Sequence, residues 1–200
     1  MVLGFIDKED VKKLDLRELS QRLAMLMLLC SGQRCQTLAQ LAANVQFTNE
    51  GAIFEILGLL KTSRPGRVQN RLVFRRFKDN EKICVVQYAI EYDKRKEVLR
   101  TQKPVGDTHF LVSFRPPHKA VGPSTLARWV VSVMRQAGVD VDMFKAHSTR
   151  GAGTSAAKGL MPMDAILKSG GWSAQSTFAK YYDRPIDSGQ SLGYAIASRL

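Results

Sequence analysis

The chain has few of the residues that hold metals or form disulfides. Its 200 residues include three cysteines and three histidines. Cys30, Cys35 and Cys84 form no C-x-x-C pair, and the histidines are scattered without metal-ligand spacing. This pattern predicts reduced, mostly structural cysteines, and it predicts that the protein binds no metal.

Long apolar runs are also lacking. The longest apolar stretch runs from Leu23 to Cys30, far short of the ~20 residues that a membrane-spanning helix needs. Charged residues interrupt the apolar residues near the start of the chain, from Asp7 to Asp10, which argues against a signal peptide. We therefore expect no membrane partner and an intracellular location, nuclear if the host is a eukaryote.

Acidic residues are few relative to basic ones. The chain has 30 Lys and Arg residues and 18 Asp and Glu residues, which gives a formal net charge of +12. The pI is 9.9. Such a charge favours a nucleic-acid partner, although ribosomal contacts, an anionic membrane surface or a merely basic enzyme would also fit it. Hydrophobic residues make up 44% of the chain, which is typical of a globular protein with its own core.

The apolar pattern is mainly helical, with one strand-rich region. Helical spacing and turn residues predict helices over 8–30, 35–45, 124–137, 146–158, 162–169 and 176–182. Short apolar or β-branched runs predict strands over 52–60, 71–77 and 83–90, with a brief one over 111–114. The expected fold class is therefore α+β, mainly α with a small antiparallel β-sheet of two or three strands.

Six residues suited to phosphate chemistry stand in short motifs along the chain. They are Arg34 in SGQR, Lys61 in LLKT, His147 and Arg150 in HSTR, Trp172 in GGW, and Tyr181, nine residues after Trp172. The spacing of HSTR puts its histidine and arginine on one helical face. Arginine forks hold phosphate oxygens with two hydrogen bonds at once, and a tyrosine oxygen can act as a nucleophile.

This ordered set resembles the tyrosine recombinase (phage integrase) family. The segments GQRCQTL and SGGWSAQSTFAKYYDRP look most like recombinases of eukaryotic mobile elements of the Crypton and DIRS types. The resemblance runs from Leu14 to Pro185. It implies the tyrosine recombinase catalytic-domain fold over residues 1–185, with residues 186–200 as a C-terminal tail that docks on a neighbouring protomer.

The resemblance also implies a reaction, in which DNA strands are broken and rejoined through a 3′-phosphotyrosyl intermediate. Tyr181 would be the nucleophile, and Arg34 and Arg150 would hold the scissile phosphate. No cofactor and no metal would be needed. Tyr182 competes with Tyr181 for the nucleophile's role, but the distance from Trp172 favours Tyr181.

Three further roles follow from the same resemblance. Lys61 would be the general acid that protonates the 5′-oxygen. His147 would accept the tyrosine proton or donate a hydrogen bond to the phosphate. Trp172 carries a donor-only indole, so it could hold a phosphate oxygen without moving protons.

A block of basic residues surrounds Lys61. The stretch from Lys61 to Lys78 contains no acidic residue, so it is suited to neutralising the phosphates of a DNA backbone. We expect double-stranded DNA as the partner, with the protein assembled on it as a homo-oligomer, in this family a tetramer. The arginines predicted to contact DNA are Arg64, Arg67, Arg71, Arg75 and Arg76.

Two departures from the family pattern stand out. The family has an acidic residue three positions after the first arginine, where this chain has Thr37, which puts the fine positioning of the site in doubt. The family also carries an N-terminal DNA-clamping domain, for which 200 residues leave no room.

Plainer interpretations remain open at this level. Arg34 could be a surface arginine, Trp172 a core tryptophan, and the basic block a solvated face. The whole chain could be a non-catalytic DNA-binding module derived from a mobile element, or a DNA-relaxing enzyme of the type IB topoisomerase kind.

Overall fold

A computed structural model describes residues 1–58, 71–100 and 108–172, together with residues 176, 178 and 179. Three groups of predictions lie outside these residues. They concern Lys61, Arg64 and Arg67 in the basic block, the nucleophile Tyr181 with its competitor Tyr182, and the tail over 186–200.

Seven α-helices, two short 3-10 helices and three strands make up the described part of the chain. The helices are α1 (Val2–Ile6), α2 (Leu16–Ser31), α3 (Cys35–Ala39), α4 (Val85–Arg100), α5 (Pro123–Gln136), α6 (Ser148–Ala156) and α7 (Met163–Gly170). The 3-10 helices span Val11–Lys13 and Glu81–Ile83, and the strands are β1 (Gln46–Phe47), β2 (Gly51–Phe54) and β3 (Leu72–Arg75).

Helix α2 is the central element. It begins with a reciprocal cap, in which the Asp15 carboxylate accepts from the Glu18 amide (2.7 Å) and the Glu18 carboxylate accepts from the Asp15 amide (3.1 Å). Nearly every residue from Leu19 to Leu28 is buried, so the helix is covered on all sides. It packs against α4, α5 and α6. Among the described helices, none has both the length and the apolar character to span a membrane.

The three strands form one antiparallel sheet in the order β1-β2-β3. Ala52 pairs with Phe74 and Ile53 with Val73, and the alternation of β3 buries Leu72 and Phe74 while Val73 faces outward. The rings of Phe54 and Phe74 meet edge to face, with centroids 5.9 Å apart. The prediction of a mainly α protein with a small antiparallel sheet is therefore confirmed.

The predicted strand over 83–90 is wrong. A 3-10 turn occupies Glu81–Ile83, and the following residues begin α4. The β-branched run favoured a strand, but Val85, Tyr88, Tyr92 and Lys96 are buried at helical spacing, and packing against α2 overrides the local preference.

Other boundaries also differ from the prediction. Helix α2 begins at Leu16 instead of residue 8, because Asp15 caps it there. The predicted strand over 111–114 is reduced to one bridge between Val112 and Ala120. The two-residue strand β1 was not predicted, since it is too short to show an alternating pattern.

Candidate active site

Arg34 lies at the turn between α2 and α3. Helix α2 ends at Gly32, which adopts the left-handed conformation (φ 62°) that glycine accommodates without strain. The turn is packed tightly, because a β-carbon on Gly32 would lie 2.7 Å from the Thr154 side chain of α6. Arg34 follows as the half-buried residue just before α3.

Helix α6 brings the HSTR motif to the same place. His147 precedes its first turn, and Arg150 lies within that turn. The helix approaches α2 so closely that a β-carbon on Gly153 would lie 2.2 Å from the Leu29 carbonyl oxygen. This close packing sets α6 beside the end of α2 that leads into the turn with Arg34.

Arg150 is held by the end of α7. Its side chain is 1% exposed, and its Nη2 donates to the Gly170 carbonyl oxygen at 2.7 Å. The guanidinium carbon lies 3.8 Å from the centre of the Trp172 ring, a distance at which the ring attracts a cation. Two features of the α7 end, one polar and one aromatic, therefore fix this arginine.

Trp172 makes contacts of two kinds. It is buried in a small apolar cluster with Ile166 and Phe178, and its ring meets the Phe178 ring edge to face at 5.3 Å. It therefore packs like a core tryptophan and at the same time contacts Arg150.

His147 stands at the protein surface between the two arginines. Partial burial of its imidazole lowers its pKa below the ordinary value of 6.5, and the positive charges of Arg150 and then Arg34 lower it further. Because the ordinary value already lies below neutral pH, the ring is neutral there and one of its nitrogens can accept a proton. Both guanidinium groups therefore lie close enough to this ring to influence its titration.

A hydrogen-bonded link between α3 and α7 was missed by the sequence reasoning. Gln33 Nε2 donates to the Ser169 carbonyl oxygen, and Thr37 Oγ1 donates to Gln33 Oε1 at 3.0 Å. Ser169 Oγ in turn donates to the Ser31 carbonyl oxygen at 2.9 Å. Thr37 had been noticed as a departure from the family pattern, but no signal in the sequence placed Ser169 opposite Gln33.

Four predicted site residues thus meet in one place, namely Arg34, His147, Arg150 and Trp172. The predicted DNA-contacting arginines that are described lie elsewhere, on or next to β3. Arg71 pairs with Glu55 at 3.4 Å, Arg75 is exposed, and Arg76 Nε donates to the Asn49 carbonyl oxygen at 3.3 Å. Within the described ranges, no group of three or more potential metal ligands is found.

Several solved structures are similar to this chain at low sequence identity. XerH site-specific recombinase bound to difH substrate, in a pre-cleavage complex, has a TM-score of 0.63 at 15% identity, over 92% of this chain and 47% of that one. XerA recombinase has a TM-score of 0.56 at 16% identity, over 96% and 62%. The Tn1549 transposon integrase in complex with circular intermediate DNA has a TM-score of 0.54 at 13% identity, over 100% and 61%.

These similarities show the fold. The chain spans between about half and two thirds of the length of those three proteins. No family model and no curated protein matches the sequence. The described helices and sheet are those of a tyrosine recombinase catalytic domain, as the sequence predicted.

Proposed function

From this catalytic-domain fold, we propose that the chain breaks and rejoins DNA strands as a tyrosine recombinase, with Tyr181 as the nucleophile. One observation carries the proposal. Helix α6 packs against α2, and this brings Arg34 just after α2 together with His147 and Arg150 at the start of α6. Two cations beside a neutral base suit phosphoryl transfer better than DNA binding alone.

The two arginines would stabilise the charge on the scissile phosphate. Their planar forks each offer several donors to the non-bridging oxygens; the turn after α2 places Arg34, and the end of α7 holds the Arg150 guanidinium. Donors that are fixed before the reaction need not reorganise during it. A single donor of this kind contributes about 10²–10³-fold in rate.

The remaining steps need a nucleophile, a base and an acid. The Tyr181 oxygen would attack phosphorus as its proton passes to neutral His147, while the bond from phosphorus to the 5′-oxygen breaks and Lys61 supplies that oxygen with a proton. The product is a 3′-phosphotyrosyl bond and a free 5′-hydroxyl. The reverse reaction with another 5′-hydroxyl rejoins the strand, so no cofactor has to store the bond energy.

Arg150 can act only if DNA reaches it. With 1% of its surface exposed, it would contact a phosphate once the side chains that cover it shift, and the Trp172 ring is one of them. We propose that DNA binding drives this shift, and that Trp172 then donates its indole N–H to the same phosphate.

Double-stranded DNA would lie along the basic residues of the sheet. Arg71, Arg75 and Arg76 of this set surround β3, and Arg64 and Arg67 belong to the same block in sequence. Such contacts make binding weaker as salt rises. We further propose that the protein assembles as a homo-oligomer, a tetramer, on paired DNA sites through residues 186–200; its relation to Crypton and DIRS-type elements stays a prediction from the sequence.

The test is covalent capture of DNA. A pool of nicked duplexes with randomised sequence is incubated with the protein, and SDS-stable protein–DNA adducts are isolated and sequenced. We expect an adduct on a restricted set of sequences that Tyr181→Phe abolishes and Tyr182→Phe retains. An adduct without sequence preference would indicate a relaxing enzyme, and salt-sensitive binding without any adduct would indicate a binding module.

A further inference from the structure

We propose that Gln33 and Thr37 are positioning residues, which hold Arg34 in a fixed place relative to Arg150. The two side chains, with Ser169, form a clasp between the turn after α2 and the end of α7. The inference rests on the proposed function, because it explains how that site keeps its two arginines together.

The hydrogen bonds of the clasp fix the orientation of the Gln33 amide. The Ser169 carbonyl can only accept, so the amide nitrogen must face it and the amide oxygen must face Thr37. Thr37 is buried, with 4% of its surface exposed. Its hydroxyl donates to the amide oxygen, so it holds the amide in the one orientation that engages α7.

A further hydrogen bond reinforces the clasp. Ser169 Oγ donates to the Ser31 carbonyl oxygen at 2.9 Å, so Ser169 is bound on both sides of the Gly32 turn. The next residue, Gly170, accepts the hydrogen bond from Arg150. Two consecutive residues of α7 therefore connect the turn that carries Arg34 to the side chain of Arg150.

The packing leaves the clasp little freedom to rearrange. A β-carbon on Gly32 would lie 2.7 Å from the Thr154 side chain, and one on Gly170 would lie 1.7 Å from a ring carbon of Trp172. A change of a few tenths of an ångström in the clasp would therefore be passed on to the separation of the two arginines. Catalysis is sensitive to such shifts, since a misplacement of about 1 Å can cost about 10²-fold in rate.

Isosteric variants separate positioning from simple structural support. Gln33→Glu keeps the shape but presents an oxygen to the Ser169 carbonyl. Thr37→Val keeps the volume and removes the hydroxyl, whereas Thr37→Ser keeps the hydroxyl and removes a methyl group. Ser20→Ala is the matched control, because Ser20 is a fully buried α2 residue whose hydroxyl donates to the Leu16 carbonyl at 2.6 Å, away from the site.

The rate of adduct formation at saturating DNA is measured beside the Kd for DNA and the thermal midpoint. We expect Gln33→Glu and Thr37→Val to slow adduct formation at saturating DNA by about 10- to 100-fold, and Thr37→Val to leave the Kd unchanged. Thr37→Ser should recover most of the rate. Ser20→Ala should keep the wild-type rate, even though it lowers the thermal midpoint as much as Thr37→Val does.

Either of two results would overturn the inference. One is a wild-type rate in both Gln33→Glu and Thr37→Val. The other is an equal loss of rate in Thr37→Ser and Thr37→Val, since packing of the methyl group would then be the cause.

A readout that needs no reaction covers the case in which the wild-type protein forms no adduct. In a Trp129→Phe background, Trp172 is the remaining tryptophan, and acrylamide quenching of its fluorescence reports how firmly the end of α7 is held. Stronger quenching in Gln33→Glu and Thr37→Val, but not in Thr37→Ser or Ser20→Ala, would support the clasp even though the proposed function had failed. Unchanged quenching in all four would overturn the clasp as well.

Discussion

Among the described residues, two apolar regions of very different size support the site. The larger one surrounds α2 and includes residues of α4, α5 and the sheet, among them the fully buried Leu19, Leu23 and Leu26. The smaller one is built by Ile166, Trp172 and Phe178, with a few partly buried neighbours around α7. Free energy from apolar burial grows with the buried area, so the first region is held far more firmly than the second.

The site lies across the boundary between these regions. Arg34 follows directly from α2, whereas Trp172 belongs to the small cluster. Arg150 joins the two, since its helix packs on α2 while its guanidinium is held by Gly170 and Trp172. Elements with few buried apolar contacts open more readily than the core, so the α7 side is the half of the site that we expect to move under the DNA binding proposed above.

The largest effect is expected from damage to the α2 core. Leu26 is completely buried, so Leu26→Ala removes apolar contacts and leaves a cavity in a region that cannot collapse around it. We expect a loss of about 2–5 kcal/mol in the free energy of unfolding, measured by urea titration.

Ile166→Ala is the matched change in the small cluster, where the side chain is 2% exposed. We expect faster amide hydrogen exchange within α7 and little change in the urea midpoint, because α7 opens locally before the whole protein unfolds. If both variants lowered the midpoint equally, the two regions would form one cooperative unit and the comparison would fail.

The next effect concerns Arg34, the site residue that lies next to the large apolar region around α2. Arg34→Ala should slow adduct formation by about 10²–10³-fold, since it removes one fixed donor to the phosphate. The measurement is single-turnover kinetics with the nicked substrate. Arg135→Ala, an exposed arginine in the last turn of α5, is the charge-matched control and should keep the wild-type rate. Equal losses in the two variants would point to a general effect of charge on DNA binding.

A smaller effect is expected where the helices α2 and α6 touch. Gly153→Ala would push a methyl group against the Leu29 carbonyl oxygen, 2.2 Å away before any relaxation. We expect a loss of about 1–3 kcal/mol in the free energy of unfolding. Gly4→Ala is the control, because it also lies in a helix and its β-carbon would meet nothing within 4 Å. A neutral result for Gly153→Ala would mean that the two helices can move apart freely.

The smallest effect is on the titration of His147, followed by NMR. Arg34→Gln removes one of the charges that lower its pKa, so the pKa should rise toward 6.5, while Arg135→Gln should leave it unchanged. In the wild-type protein, the rate of adduct formation should decrease on acidification only below pH 6.5, where the ring becomes protonated. The folded chain also binds this proton less readily than the unfolded chain, so stability should fall as the pH drops below about 6.5.

Much of the fold could be predicted from local pattern. Helices α5, α6 and α7 were placed to within about two residues, because each has helical apolar spacing between clear turn residues. The first residues of helix α4 have the pattern of a strand, since β-branched residues mislead when the surface against which they pack is unknown. Local preference cannot show that burial against α2 decides the outcome.

The candidate site, like the fold, could be predicted from the sequence only in part. The motifs around Arg34, His147 and Trp172 could be predicted because their order along the chain is distinctive. The contact between Gln33 and Ser169 could not, since 136 residues separate the two and neither has an unusual neighbourhood. Only the packing of α6 against α2, with α7 following it, brings them together.

The hydrogen bond from Arg150 to the Gly170 carbonyl has one further consequence. A free arginine side chain samples many rotamers, and ordering one costs about 1.5–2 kcal/mol of conformational entropy. Here Gly170 and Trp172 select one arrangement when the protein folds. That cost therefore lowers the stability of the native state instead of the affinity of the proposed contact with a phosphate.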